Sequence, residues 1–453
     1  MSRIVCKFGG TSVATADNIE QIITILSLDS RRRAVVLSAP GKAPTVITKV
    51  TDYLLTIVDK SLANRDYSKE LNAVKQRYFD IYEPLGVDAK EIKEVVDQLD
   101  SRVEQTCDNS AKYRDSIVAS GEEFSANLFA KLLNLRGVKA EFVSPQSINF
   151  LVSDDFGDAQ ATDEGEDNLK ALKEICESRV VVFPGFYGVT RSGETCTFSR
   201  GGSDLTGAIV ANAIDAVEYE NFTDVNGILS ANPKVVAGPE QISALTYREM
   251  RELSYMGFNV FHEEAVKPVI DKKIPIRLRN TNNIKNSGTL IVSERLPDER
   301  DIIGIAGAAD YCSFNLQKFL MNREKGFGRR LLSIFEDLNL SYEHCPSGVD
   351  NISVILDQKQ LHPDTVNEVI AKIHEELAPD ELKTEFGISL VSVVGEGLLH
   401  KIGVLSTATK ALSDAGINIK LVNQGSSELS IIFGIDSADE DRAVKVLYDS
   451  FFN

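Results

Sequence analysis

The sequence predicts an α/β protein: a large domain on a mainly parallel sheet, followed by two small α+β modules. Three observations carry this. Short apolar runs alternate with amphipathic stretches over the first 60 residues, glycine pairs stand where such runs end, and one helix–strand pattern recurs after about 75 residues near the C-terminus. At 453 residues the chain is too long for one compact core, and 43% hydrophobic with 26% charged residues is an ordinary globular composition.

The elements follow in order. "RIVCKF" suits a buried parallel strand. After Gly9 and Gly10, Asp17 or Asn18 can cap a helix whose Ile19, Ile22, Ile23 and Leu26 form one apolar stripe. "RAVVLSAPGK" is the next strand and completes a βαβ unit. Residues 60–135 read as largely helical, with Ile92, Val96, Leu99 and Val103 at helix spacing, and the Lys and Glu of 60–115 suggest that this part is a solvated insert. "ASGEEFSANLFAKLL" begins another helix near Ser120 or Gly121. "VKAEFVSP", "RVVVFPGFYGV", "AVEYENFTDVNGI" and "IPIRLRN" return to strands, so residues 1–300 form one domain.

From residue 301 the plan changes. "GFGRRLLSIFEDLNLSYEHC" and "HKIGVLSTATKALSDAGINIKLVNQ" each carry a glycine turn, an amphipathic helix and a following strand; "NISVIL" and "ELSIIFGI" are the matching next strands. Two strand candidates, "IIGIAG" and "CSFNLQ", precede the first repeat although one module needs one. The extra strand fits an arrangement in which 311–387 form one module, inserted into a second made of 301–310 and 388–453.

A net charge of −18 opposes a nucleic-acid surface, and any phosphate must meet local cations. No apolar run reaches the ~20 residues that cross a bilayer, and "MSRIVCKFGG" reads as strand and turn, not as a signal peptide. Six scattered cysteines without C-x-x-C spacing imply reduced thiols, a cytoplasmic setting and no zinc site. The histidines, His262 and His344 among them, have no ligand spacing, so no metal-binding side chains are assigned.

Three stretches can carry chemistry. In "KFGGTS", Gly9, Gly10 and Ser12 follow a strand and precede a helix, where backbone N–H groups and Lys7 can approach an anion; a tight turn beside an exposed lysine is the competing reading. In "SRGGSDLTG", Arg200 can clamp a carboxylate or phosphate, the glycines and Ser203 can form a nest of donors, and Asp204 can orient a lysine; the plain alternative is a polar loop with an Asp cap. In "TDVNGI", Thr223 and Asp224 leave a strand at the end where open α/β sheets bind ligands.

Together, in this order, these stretches resemble the aspartokinases of the amino-acid kinase superfamily, and the paired C-terminal modules are similar to ACT domains. The resemblance runs through essentially the whole chain and leaves no room for a homoserine dehydrogenase domain. It implies a three-layer αβα kinase domain and two ferredoxin-like ACT domains. It also implies ATP- and Mg²⁺-dependent phosphorylation of the side-chain carboxylate of L-aspartate, the first step toward lysine, threonine and methionine. Carried over residue by residue, it makes Lys7 and Asp204 catalytic. Ser38, Thr51, Glu122, Phe186, Arg200 and Ser203 become aspartate contacts, with Thr45 or Thr48 competing for the place of Thr51. Lys7, Gly9, Gly10, Ser12, Thr223, Asp224, Lys234 and Asn259 become nucleotide contacts. Asn259 stands where relatives place a lysine, Glu263 where many have proline, and Asn232 where aspartate is usual.

The ACT pair implies feedback by an amino acid, lysine favoured over threonine, with Gly326, Phe327, Ser341, Glu343 and Asp350 as effector candidates. It also implies a homodimer or homotetramer formed through these domains. Two other readings stand: a different amino-acid kinase, acting on glutamate or acetylglutamate, or a non-catalytic amino-acid sensor.

Overall fold

The computed structural model describes residues 2–44, 46–105, 109–199, 201–258, 261, 267–295 and 300–453. The chain divides into two units. The first comprises Met1–Ile228, Gln241–Tyr247 and Asn259–Leu296, and the second Leu229–Glu240, Arg248–Phe258 and Pro297–Asn453. The division is thus not a single cut near residue 300, because 229–240 and 248–258 group with the C-terminal unit.

In the first unit the strands are Ile4–Phe8 (β1), Arg32–Leu37 (β2), Ala140–Phe142 (β3), Val180–Pro184 (β4), Tyr187–Val189 (β5), Thr195–Thr197 (β6), Glu218–Thr223 (β7), Ala244–Thr246 (β8), Ile276–Asn280 (β9) and Thr289–Val292 (β10). Eight of them form one sheet in the order β3-β4-β2-β1-β7-β9-β10-β8, while β5 and β6 pair as a separate hairpin. Among the described residues, β9 and β10 are the one antiparallel pair in the large sheet. All five residues of β1 are buried, as a central parallel strand requires. In its register with β7, Cys6 stands opposite Glu220 and Lys7 opposite Asn221. Side chains alternate along a strand, so these two pairs leave opposite faces of the sheet.

Several local expectations change. The helix Ala16–Ser27 is capped by Thr15, whose Oγ1 accepts the Asn18 N–H at 3.2 Å; neither Asp17 nor Asn18 is the cap. "RVVVFPGFYGV" is two strands, because the chain breaks at Phe186, which holds φ 78°. The helices between residues 50 and 135 are not merely a solvated insert. Tyr78, Tyr82, Ile92, Val96, Leu99 and Val103 join the core under the sheet, Tyr78 Oη donates to Gly121 O at 2.6 Å, and Arg77 Nη2 to Gly41 O at 3.1 Å. Lys and Glu on the outer face gave the solvated appearance; aromatic rings on the inner face do the packing.

The second unit carries one antiparallel sheet. Its strands are Gly304–Gln317 (β11), Asn351–Asp357 (β12), Glu381–Val394 (β13), Leu421–Asn423 (β14) and Ser430–Asp436 (β15), in the order β12-β11-β13-β15-β14. "IIGIAG" and "CSFNLQ" therefore do not give two separate strands: most of both lies in β11, whose pairing with β13 shifts register between Ala308 and Tyr311, where Asp310 holds φ 69°. The strand expected in "LNLSYEHC" is absent among the described residues; isolated bridges at His344 and Ser347 replace it, and Pro346, lacking an N–H, stands between them. Helices Phe327–Asp337 and Pro363–Leu377 cover one half of the sheet, and Val404–Asp414 with Glu440–Phe452 cover the other. The segment 248–258 lies on this unit too: Glu252 accepts from Ser430 Oγ at 2.7 Å, and Glu249 from the Glu396 N–H at 2.8 Å. No described helix is long and apolar enough to cross a membrane.

Candidate active site

The site in the first unit grows from the ends of β1, β2, β4 and β7. Where β1 and β2 leave the sheet, their backbones meet without side chains between them. A Cβ on Gly10 would stand 3.0 Å from Ala39 O, and one on Gly41 only 2.7 Å from the Gly10 carbonyl carbon. The Gly41 N–H donates to Gly10 O at 2.8 Å and closes the contact. Gly9 does not offer its amide to an anion as its sequence context suggests, because that N–H donates to Phe222 O at 3.2 Å. Ser12 is buried and shares a 2.6 Å hydrogen bond with Thr281 Oγ1, which ties the turn to the end of β9.

Lys7 is 8% exposed, far from a surface lysine. Its Nζ lies 2.5 Å from Asp204 Oδ1. Asp204 stands in the first turn of the helix Gly202–Ala213, which Gly201 enters with φ 83°. Asn221 Nδ2 donates to the same Oδ1 at 2.6 Å, and Tyr219 Oη donates to the Asp204 carbonyl at 3.0 Å. The same helix turn reaches β4: a Cβ on Gly185 would strike Ser203 Oγ at 2.7 Å, and one on Gly202 would strike Phe186 at 2.9 Å. Phe186 is fixed by its N–H donating to Thr206 Oγ1 (3.0 Å) and its carbonyl accepting from Phe198 (2.8 Å). An aromatic residue at positive φ stores local strain, a feature that gathers at ligand sites.

Glu122 and Glu123, adjacent in sequence, are used differently. Arg102 Nη2 donates to both carboxylate oxygens of Glu123 at 2.8 and 2.9 Å, and Tyr187 Oη donates to Oε2 at 3.1 Å. Glu122 is buried: the Ala39 N–H donates to its Oε1 at 3.0 Å, and among the described residues its Oε2 has no partner. Burial pushes its carboxyl up to about 7, although the Ala39 N–H pulls the other way. Gly121 allows this approach, since a Cβ there would stand 2.7 Å from that of Ala39. Ser38, half-buried, bonds through its N–H to Phe8 O at 3.2 Å. Thr51 is half-buried in the first turn of the helix Val50–Leu62, which the Val50 N–H docks on Pro40 O at 3.0 Å.

Contacts thus link Lys7, Gly9, Gly10, Ser12, Ser38, Glu122, Phe186, Ser203 and Asp204 into one neighbourhood. Thr223 Oγ1 bonds the exposed Asp224 at 3.3 Å on the β7 exit. Lys234 belongs to the second unit, where its N–H donates to Asn232 Oδ1 at 3.0 Å. Arg200 and Asn259 lie outside the described residues, as do Thr45, His262, Glu263 and Cys107. Asn221 and Tyr219 were not picked out from the sequence; the signal available was register, since a strand ending in Thr223–Asp224 beside β1 brings Asn221 level with Lys7.

The effector candidates lie in the second unit. Gly326 caps the helix Phe327–Asp337 at φ 77°, and Lys318 and Arg330 lie over the buried Phe327 ring at 5.4 and 5.9 Å. The main chain of Ser341 is held by Gln360. Glu343, expected to await an ammonium, already accepts from Tyr255 Oη, whereas Asp350 Oδ1 is buried without a partner.

Comparison with known proteins completes the picture. Residues 2–280 match the amino acid kinase family, and residues 391–451 an ACT domain. Aspartokinase 3 of Bacillus subtilis is 44% identical over 99% of this chain and 98% of its own. The aspartate kinase of Clostridium acetobutylicum superimposes with a TM-score of 0.88 at 35% identity, covering 99% of this chain and all of that one. In Escherichia coli, the lysine-sensitive aspartokinase 3 is 26% identical over 99% of both chains. Aspartokinase III, solved with aspartate and ADP, reaches a TM-score of 0.78 at 25% identity over the whole of both. With the mainly parallel kinase sheet, the lysine–aspartate pair at its strand ends and these full-length likenesses together, the chain belongs to the amino-acid kinase family and, within it, to the aspartokinases, ATP-dependent phosphotransferases.

Proposed function

We propose that the site transfers the γ-phosphoryl group of ATP to the side-chain carboxylate of L-aspartate, giving ADP and 4-phospho-L-aspartate, the entry step to lysine, threonine and methionine. The observation that carries the choice of substrate is Glu122: a buried carboxyl with one oxygen lacking a partner suits an ammonium group. Arg200 takes the α-carboxylate at the other end, with Ser38, Thr51, Phe186 and Ser203 around it.

The attacking carboxylate has an ordinary pKa of ~3.9 and is already ionised, so no general base is needed. Its oxygen forms a bond to the γ-phosphorus as the bond to the β,γ-bridging oxygen breaks, and no proton moves. The obstacle is repulsion between two anions, together with in-line alignment. Lys7, held by Asp204, offsets the charge on the transferring group. The N-terminus of Gly202–Ala213 adds its dipole from the side of Ser203. Gly10, Ser12, Thr223 and Asp224 border the nucleotide, with Asn259 as a further contact.

Among the described residues there is no cluster of three metal-ligating side chains. Mg²⁺ that arrives on nucleotide phosphates needs few protein ligands, and Asp204 beside Lys7 is the protein carboxylate that would face it. Bound there, Mg²⁺ would neutralise β- and γ-phosphate charge.

Lysine is the proposed feedback effector, supported by the lysine-sensitive relative and by the unpaired buried oxygen of Asp350 in the first of two ACT modules (311–387, with 301–310 and 388–453 as the second). Homo-oligomer formation through these modules and a cytoplasmic setting complete the reading. The test is hydroxylamine trapping of the acyl phosphate with ATP and Mg²⁺, across L-aspartate, L-glutamate and N-acetylglutamate, with and without lysine or threonine. Trapped product with aspartate alone is expected; no turnover with aspartate sinks the proposal.

A further inference from the structure

Asp204 faces Lys7, and a second group grips the same oxygen. Lys7 and Asn221 are register partners on β1 and β7, both nearly buried, and both project from the sheet face that meets the helix Gly202–Ala213. Lys7 Nζ and Asn221 Nδ2 reach Oδ1 of Asp204 at 2.5 and 2.6 Å. Only the amide nitrogen of Asn221 can face an ionised carboxylate, so its orientation follows from its partner. The same nitrogen donates to Tyr219 Oη at 3.1 Å, and that hydroxyl donates onward to the Asp204 carbonyl at 3.0 Å. Tyr219 is in turn seated under the helix by Gly207, where a Cβ would stand 2.5 Å from its hydroxyl.

We propose that Asn221 is a positioning residue for phosphoryl transfer: with Tyr219 it clamps the Asp204 carboxylate so that Lys7 is held at the one place where it meets the transferring group. This rests on the reading of Lys7 and Asp204 given above. A lysine held only by a carboxylate can swing with that carboxylate about its last torsion. A second, neutral donor on the same oxygen stops that rotation without adding a charge that would compete with Lys7.

The test is steady-state kinetics of the full chain at saturating ATP, Mg²⁺ and aspartate, with thermal unfolding measured alongside. Asn221→Leu, nearly isosteric, should lower kcat by about 100-fold with both KM values within about threefold, as expected for a misplaced charge in an otherwise intact site. Asn221→Asp should be worse near pH 8, where two carboxylates would face each other, and should regain about tenfold toward pH 6 as one shared proton restores a donor. The wild type should show no such gain in kcat. If Asn221→Leu does not fold, Asn221→Ala is read in its place. A kcat within about threefold of wild type in the Leu or Ala variant, or a pH-independent Asp variant, would overturn the proposal. An active Lys7→Ala enzyme would instead overturn the underlying reading of Lys7 and Asp204.

Discussion

The two faces of β1 and β7 both carry buried ions, and they are built on opposite principles. On one face the Glu220 carboxylate is filled: Arg32 donates to it at 2.6 and 2.9 Å, Arg279 at 2.9 Å, and Cys6 Sγ at 3.4 Å. Burial alone would push that carboxyl up, but the two guanidinium groups reverse the effect and hold it below the ordinary glutamate range. One residue along, on the other face, Lys7 and Asn221 converge on a single oxygen of Asp204, and nearby Glu122 keeps an oxygen with no partner. Exposure does not separate the two clusters, since Lys7 is 8% exposed and Glu220 2%. The carboxylate oxygens do: both oxygens of Glu220 accept bonds from the chain, whereas Glu122 keeps one without a partner, an arrangement that suits a bound cation.

The sharpest way to break this comparison is to exchange the effects. Lys7→Ala should reduce kcat by at least about 10³-fold, as loss of a charge on the transferring group does, while moving Tm only slightly. Glu220→Gln should do the reverse. It leaves the buried Arg32 and the partly buried Arg279 without their anion, so denaturant unfolding should register a loss of about 3–5 kcal/mol while the folded fraction keeps near-normal kcat. If the Glu220 variant instead lost turnover at unchanged stability, the division between faces would fail.

A smaller effect is expected at Glu122. Because burial raises its carboxyl to about 7, the free enzyme loses the ionised form as pH falls through that value, and with it the partner for an ammonium. The kcat/KM for aspartate should therefore drop below about pH 7 while kcat at saturation changes less. Glu122→Gln should abolish this inflection and raise KM for aspartate about 10- to 100-fold, consistent with loss of a buried charged hydrogen bond. The sign for stability is opposite. A carboxyl raised by folding costs nothing below the ordinary glutamate range and its full penalty above about pH 7, so Glu122→Gln should raise Tm of the unliganded protein near pH 8. The smallest effect is reserved for Asp350→Asn, which should shift half-inhibition by lysine about tenfold with basal kcat unchanged; an unshifted lysine response would remove Asp350 from the effector site.

Much of this was legible beforehand because glycine and charge are informative at strand ends. "KFGGTS" and "SRGGSD" marked Lys7 and Asp204, and the fold brings those two side chains into contact. "GEE" marked Glu122, although sequence cannot say which of two adjacent glutamates Arg102 will occupy. Asn221 stayed hidden because a polar residue inside a strand has no local signature; its meaning depends on what the neighbouring strand places beside it. The segments 229–240 and 248–258 were hidden for a related reason. Chain continuity suggested one domain up to residue 300, while the hydrogen bonds of Glu249 and Glu252 run to residues far along the sequence.

What the amino-acid sequence determined by itself was local: where strands end in glycine, which helix faces are apolar, and that a lysine, an arginine and carboxylates stand at the turns. These follow from backbone sterics and hydrophobic periodicity, which act over a few residues. Only the tertiary structure decided which of those charges are satisfied. Glu220 finds Arg32 across 188 residues, Asp204 finds Lys7 and Asn221 on two different strands, and Glu122 finds the Ala39 amide for one oxygen while the other has no partner among the described residues. Satisfaction of a buried polar group depends on three-dimensional neighbours, which local sequence pattern does not specify.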